Sequence, residues 1–138
     1  MTRYLLDTGI ASDFINCRLD VDERVGAALR RGHRIGISTP VLGELLAGIE
    51  NSNDPERHRL TLWRGLVGIR LWPFDKAAAQ EFGRVSAMLR RKGRPMQQVD
   101  IQSASIAFAL GDCRVVSKDS DFHAIPGLDV EDWSQPEA

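Results

Sequence analysis

A chain of 138 residues with 43% apolar content supports one globular domain with one core, which at this size buries roughly two-thirds of its unfolded surface, and argues against a second domain. Eighteen Lys and Arg against nineteen Asp and Glu give a net charge of -1, so a polyanion has to be held by a local patch rather than by the whole molecule. No basic N-terminal segment precedes an apolar stretch, and no apolar run approaches the roughly 20 residues that span a bilayer, so the chain is expected in the cytoplasm.

Tyr4-Leu5-Leu6 reads as a short buried strand ending at Asp7, followed by a short helix over Gly9 to Asn16. A second helix is predicted over Val21 to Arg31, with Gly32 as its stop signal. Ile35 to Ser38 is the second strand. Thr39-Pro40 then resembles an N-cap with Pro at the first helical position, and the helix it opens carries Glu44. Asp54-Pro55 starts a helix with apolar Leu62, Trp63, Leu66 and Val67, and Ile69 to Trp72 is a third strand. Asp75 caps a long helix whose apolar stripe is Ala78, Phe82, Val85 and Leu89 and whose end is marked by Gly93. Asp100 begins another helix, ending near Gly111; Cys113 to Ser117 is the fourth strand and Leu128 to Val130 a fifth. Strands alternating with helices imply an α/β fold built of βαβ units around a mainly parallel sheet. Residues 1–133 read as one unit and 134–138 as an acidic tail. Cys17 and Cys113 share no CxxC spacing and are expected as two buried thiols in a reducing compartment.

Four acids, Asp7, Glu44, Asp100 and Asp119, fall where strands end or helices begin. A parallel sheet brings the carboxyl ends of its strands to one edge, so such acids can meet in one crevice. Individually each has an ordinary reading: Asp7 as a turn or cap, Glu44 as a solvated surface residue, Asp100 as an N-cap, and Asp119 with Asp121 as loop acids that Lys118 could pair with. Glu44 is the most telling, because its helical neighbours Pro40, Val41, Ala47 and Gly48 offer it no cation. Two carboxylates about 4 Å apart repel by roughly 4 kcal/mol at an effective dielectric near 20, so four gathered acids strain the domain unless a cation joins them. All-oxygen ligation favours Mg²⁺, with Mn²⁺ as a substitute, over zinc. Such an ion polarises a phosphoryl oxygen and lowers the pKa of water, which is phosphodiester hydrolysis chemistry.

In order and spacing the chain resembles the PIN-domain ribonucleases, specifically the VapC-type toxins of toxin–antitoxin pairs. The resemblance runs through Leu5-Leu6-Asp7-Thr8, Gly43-Glu44-Leu45 with Gly48, Pro73-Phe74-Asp75, Gly93-Arg94-Pro95, Asp100 with Ala104, Val116 to Phe122, and Glu131-Asp132-Trp133. It implies a Mg²⁺-dependent endoribonuclease in which Asp7, Glu44, Asp100 and Asp119 hold metal and activated water attacks the phosphodiester. Asp121 is then an accessory ligand and Ser117 the usual hydroxyl near the metal. Gly9 departs from the pattern, since many members carry Asn there. The resemblance further implies a VapB-type antitoxin whose C-terminal segment covers the active-site groove, and a homodimer. Phe14, Ile15, Leu62, Trp63 and Leu66 are candidate groove residues, although core packing accounts for most of them.

For RNA, Arg90, Arg91, Lys92 and Arg94 place four cations in five positions and are candidate phosphate contacts. Arg30, Arg31, His33 and Arg34 form a second basic run and Arg57, His58 and Arg59 a third; cations at helix ends are also favoured by the dipole alone. From Asp119 onward there are six acids and no Lys or Arg, a stretch suited to a basic partner segment. Two other functions stand beside the nuclease. A phosphatase using Asp7 as nucleophile would want a second Asp where Gly9 stands, and a faded PIN-like binding module would keep metal binding without cleavage.

Overall fold

The computed structural model describes residues 1–136; the expected acidic tail lies outside them at 137 and 138. Among the described residues five strands form one sheet, in chain order β1 (Arg3–Leu6), β2 (Arg34–Ser38), β3 (Arg70–Trp72), β4 (Cys113–Val116) and β5 (Val130–Glu131). Their spatial order is β3-β2-β1-β4-β5, and every pairing is parallel. Six α-helices cover it: α1 (Thr8–Ile15), α2 (Val21–Arg30), α3 (Thr39–Glu50), α4 (Pro55–Gly65), α5 (Lys76–Arg91) and α6 (Gln98–Leu110), with a 3₁₀ turn at Ser120–Ala124. The α/β reading and the parallel sheet are thus borne out.

Successive strand residues point to opposite faces, and this alternation splits the core in two. Leu6, Ile35, Ile37 and Val116 pack with Ile10, Val25, Val41 and Leu62 of α1 to α4. Leu5 and Val115 pack with Val85 and Leu89 of α5 and with Ile101, Ala104 and Ile106 of α6 on the other side. One core is therefore two, with the sheet between them. β1 and β2 read as continuous apolar runs because both faces are covered.

Several local readings shift. Ser38, not Thr39, caps α3, its hydroxyl accepting from Val41 N at 3.1 Å, because the strand runs straight into the helix. α6 starts at Gln98, so Asp100 sits in its first turn rather than at its cap. The fifth strand is Val130–Glu131, later than expected. Val67 and Trp63 are 81% and 48% exposed, since α4 ends at Gly65 and only Leu62 and Leu66 turn inward. Cys113 is buried as expected and its thiol is pushed up to about 12 by burial, but Cys17, in the turn after α1, is exposed. No helix among the described residues is long and apolar enough to cross a membrane.

Candidate active site

Chain connections run outward in opposite directions from β1 and β4, and the crevice beyond their carboxyl ends is where an open parallel sheet binds ligands. Leu6 pairs with Val116, so Asp7 and Ser117 leave the sheet side by side. Asp7 is 7% exposed and both its oxygens are engaged. Oδ1 caps α1 by accepting from Ile10 N at 2.8 Å, and Oδ2 accepts from the Ser117 hydroxyl at 2.6 Å. That hydroxyl also accepts from Asp119 N at 2.9 Å, so one buried serine links two of the acids. Asp119 in turn caps the 3₁₀ turn through Asp121 N at 2.9 Å. The cap reading of Asp7 is thus borne out, and the cap leaves its carboxylate at the carboxyl edge of the sheet.

Glu44 reaches the same edge from α3, whose start is fixed by Ser38 at the end of β2. Its Oε1 accepts from the Thr8 hydroxyl, the residue after Asp7. Ser38 Oγ also lies 2.9 Å from Ser103 Oγ, which pins α6 there, and Asp100 lies one turn earlier on that helix. Asp100 is half-buried, and among the described residues its carboxylate has no hydrogen bond or ion pair. Burial first, then the negative charges of Asp7, Asp119, Glu44 and Asp121, hold it up at about 6 against an ordinary 3.8. Burial raises Asp7 as well, with Asp119 adding to it, while Ser117, Ile10 and Lys118 act the other way. The structure therefore brings Asp7, Glu44 and Asp119 within electrostatic reach of Asp100. Among the described residues no group of three or more His, Cys, Asp or Glu side chains is arranged to hold a metal ion, and Asp7, Glu44 and Asp119 each hold a local donor instead.

Asp121 stands differently, its Oδ1 accepting from Arg94 Nη2 at 3.1 Å. Lys92 Nζ donates to Ala124 O at 3.3 Å, so the basic stretch after α5 lies on the 3₁₀ turn beside the acids. Arg90 shares with Arg94 a surface pocket of about 380 Å³ walled by Leu89, Pro95, Met96 and Ile101. Lys118 pairs with neither Asp119 nor Asp121 but with Asp13 of α1, at 2.8 Å. The late acidic stretch is partly neutralised, since Glu131 takes Arg114 at 2.7 Å.

A second opening, of about 410 Å³, adjoins the acids along α1, α3 and α4 and is lined by Thr8, Ser12, Ile15, Glu44, Leu45 and His58, among others. Of the candidate groove residues only Ile15 and Leu62 line it. Leu62 and Leu66 are core and Trp63 faces solvent. Sequence reasoning missed Thr8 and Asp13. Thr8 directly follows Asp7, and Asp13 shares a helix face with Gly9 one turn before it, a detectable sign of an acid aimed at the same edge.

The PIN domain family model matches residues 4–128. The tRNA(fMet)-specific endonuclease VapC of Shigella flexneri is 37% identical over 97% of this chain and 100% of its own length. That of Salmonella typhimurium is 34% identical over 96% and 99%. The crystal structure of DNA-bound VapBC from Salmonella typhimurium superposes with a TM-score of 0.86 at 31% identity, covering 96% of this chain and 99% of that one. VapBC2 from Rickettsia felis bound to a promoter DNA fragment gives 0.89 at 26% identity over 96% and 99%. These matches leave no place for the phosphatase reading. With the acids at the carboxyl edge and a full-length likeness in sequence and fold, the chain belongs to the PIN-domain family and, within it, to the VapC-type ribonuclease toxins.

Proposed function

We propose that this toxin is a Mg²⁺-dependent endoribonuclease, restrained in the cell by a VapB-type antitoxin. The observation that carries the reading is Asp100, half-buried, unpaired among the described residues, and facing four other carboxylates. That donor set is all oxygen and in excess of local positive charge, which fits a hard divalent cation; Asp7, Glu44, Asp100 and Asp119 would hold it, with Mn²⁺ able to stand in for Mg²⁺. When bound, the ion supplies polarisation of a phosphoryl oxygen and acidification of water. The chain's own part is to fix the carboxylates. Ser117 and Ile10 orient Asp7, Thr8 orients Glu44, and Ser38 with Ser103 sets α3 against α6. Asp121 contributes chiefly by holding Arg94, which with Arg90, Arg91 and Lys92 would receive the RNA backbone beside the acids.

Transfer RNA is the first substrate to test, supported by the tRNA(fMet) specificity for which the relatives at 37% and 34% identity are named. The VapBC complexes among the structural neighbours support the antitoxin partner. A homodimer is supported by the exposed Leu60, Trp63 and Val67 at three- and four-residue spacing on and just after α4. The test incubates antitoxin-free protein with total cellular RNA in Mg²⁺, beside EDTA and the Asp100→Asn variant, and sequences new ends. Discrete cuts lost in both controls are expected. Cuts that persist in the variant would overturn the acid-site mechanism, and Mn²⁺ binding without any cut would favour the faded binding module.

A further inference from the structure

Beside the four acids sits another that the proposed chemistry does not use. Asp13, on α1, is 5% exposed. A carboxylate is withdrawn from water only at considerable cost unless it is paired. Its partner is Lys118, whose Nζ donates to Oδ2 at 2.8 Å. Arg18 is farther, 3.7 Å from Oδ1, with a side chain 58% exposed. In the chain Lys118 stands between Ser117, whose hydroxyl donates to Asp7, and Asp119, whose N–H donates to that same hydroxyl. The lysine stem passes close by Gly9, one helical turn before Asp13. A Cβ at position 9 would lie 3.7 Å from Lys118 Cε and 3.8 Å from Asp7 Oδ1. A methyl group would fit, and anything longer competes with Lys118 or Asp7 for the same space.

We propose that Lys118 is a positioning residue of the acid site: seated on Asp13, it clamps the turn that carries Ser117 and Asp119 onto α1 and so fixes Asp119 relative to Asp7. The pair joins residues 105 apart in sequence and gives the turn a second tie to α1, one helical turn and more beyond the Ser117–Asp7 bond at the helix cap. Clamp and charge have opposite signs toward a cation. Order in the turn favours binding, whereas the ammonium's own charge opposes it.

The test compares full-length, antitoxin-free wild type with Lys118→Arg and with the double variant Asp13→Asn, Lys118→Met, which strands no buried charge. Amide hydrogen exchange at Asp119 and Asp121 in metal-free protein is expected to speed at least tenfold in the double variant, with β1 and β4 unchanged. Gly9→Val keeps both charges but fills the path of the lysine, and is expected to speed the same amides. Unaltered exchange in both variants overturns the clamp. Mn²⁺ affinity, read by electron paramagnetic resonance, is expected to weaken several-fold in the double variant and to recover in Lys118→Arg. Tighter Mn²⁺ binding in the double variant would make Lys118 an opposing charge and overturn the proposal. In RNA cleavage kcat falls with KM little changed. These last two readouts rest on the nuclease reading. Wild type that neither binds Mn²⁺ nor cleaves RNA sinks that reading, while amide exchange still decides the clamp.

Discussion

Asp100 links the electrostatics of the site to stability through its proton. Its folded value of about 6 lies above the ordinary 3.8, so between these the unfolded chain releases the proton first. The penalty on folding is thus absent below pH about 4, grows through the interval and is complete above about 6; Asp7 shifts in the same direction. With Asp100 only partly buried, solvent screening discounts the effect to about 1 kcal/mol. Asp100→Asn should therefore raise the melting temperature of metal-free protein at pH 7 relative to wild type, with the difference vanishing near pH 4, while abolishing cleavage. Calorimetry across that range reads it; an equal difference at both ends would refute the assignment. Ser117 makes the opposite case. Ser117→Ala strips a buried partner from Asp7 Oδ2 and from Asp119 N, and a loss of roughly 1–3 kcal/mol is expected in chemical denaturation.

Ser38 acts at the junction of three elements: it ends β2, caps α3 and meets Ser103 of α6. Ser38→Ala should cost about 1–2 kcal/mol through the lost cap and the orphaned Ser103 hydroxyl, and should lower kcat because Glu44 and Asp100 ride on the two helices it joins. Gly36 sets the β2–β3 approach. A Cβ there would fall 2.7 Å from Trp72 and 2.8 Å from the Arg70 carbonyl, so Gly36→Ala is expected to destabilise by about 1–3 kcal/mol, read by urea denaturation. Elements of this kind were largely legible. Leu5-Leu6 before Asp7 and the α5 stripe declare their periods, and Asp75 caps α5 as read, accepting from Ala78 N at 3.0 Å. What was not legible was pairing across the fold. Nothing local to Lys118 names Asp13, or local to Ser38 names Ser103, since parallel crossovers bring together residues far apart in the chain. For Asp100 the sequence leaves cap and site roles open, and since an acid suits both the cap and the first turn, only the backbone places it in the latter.

For the molecule as a whole, saturating Mg²⁺ should stabilise the fold, by about 2.7 kcal/mol at one hundred times its Kd, and Asp100→Asn should erase most of that gain in a thermal shift series. The sheet order has one more consequence. β1 is the central strand, with β2 on one side and β4 on the other, and β4 begins only at Cys113. A nascent chain can dock β2 and β3 on β1 early, yet the acid edge stays half-built until the segment from β4 to Asp119 has left the ribosome. Asp7 is made before Ser117 and Asp119 and waits for both. A polypeptide that stops short of Ser117 and Asp119 therefore lacks both the partner of Asp7 Oδ2 and one of the four acids of this edge.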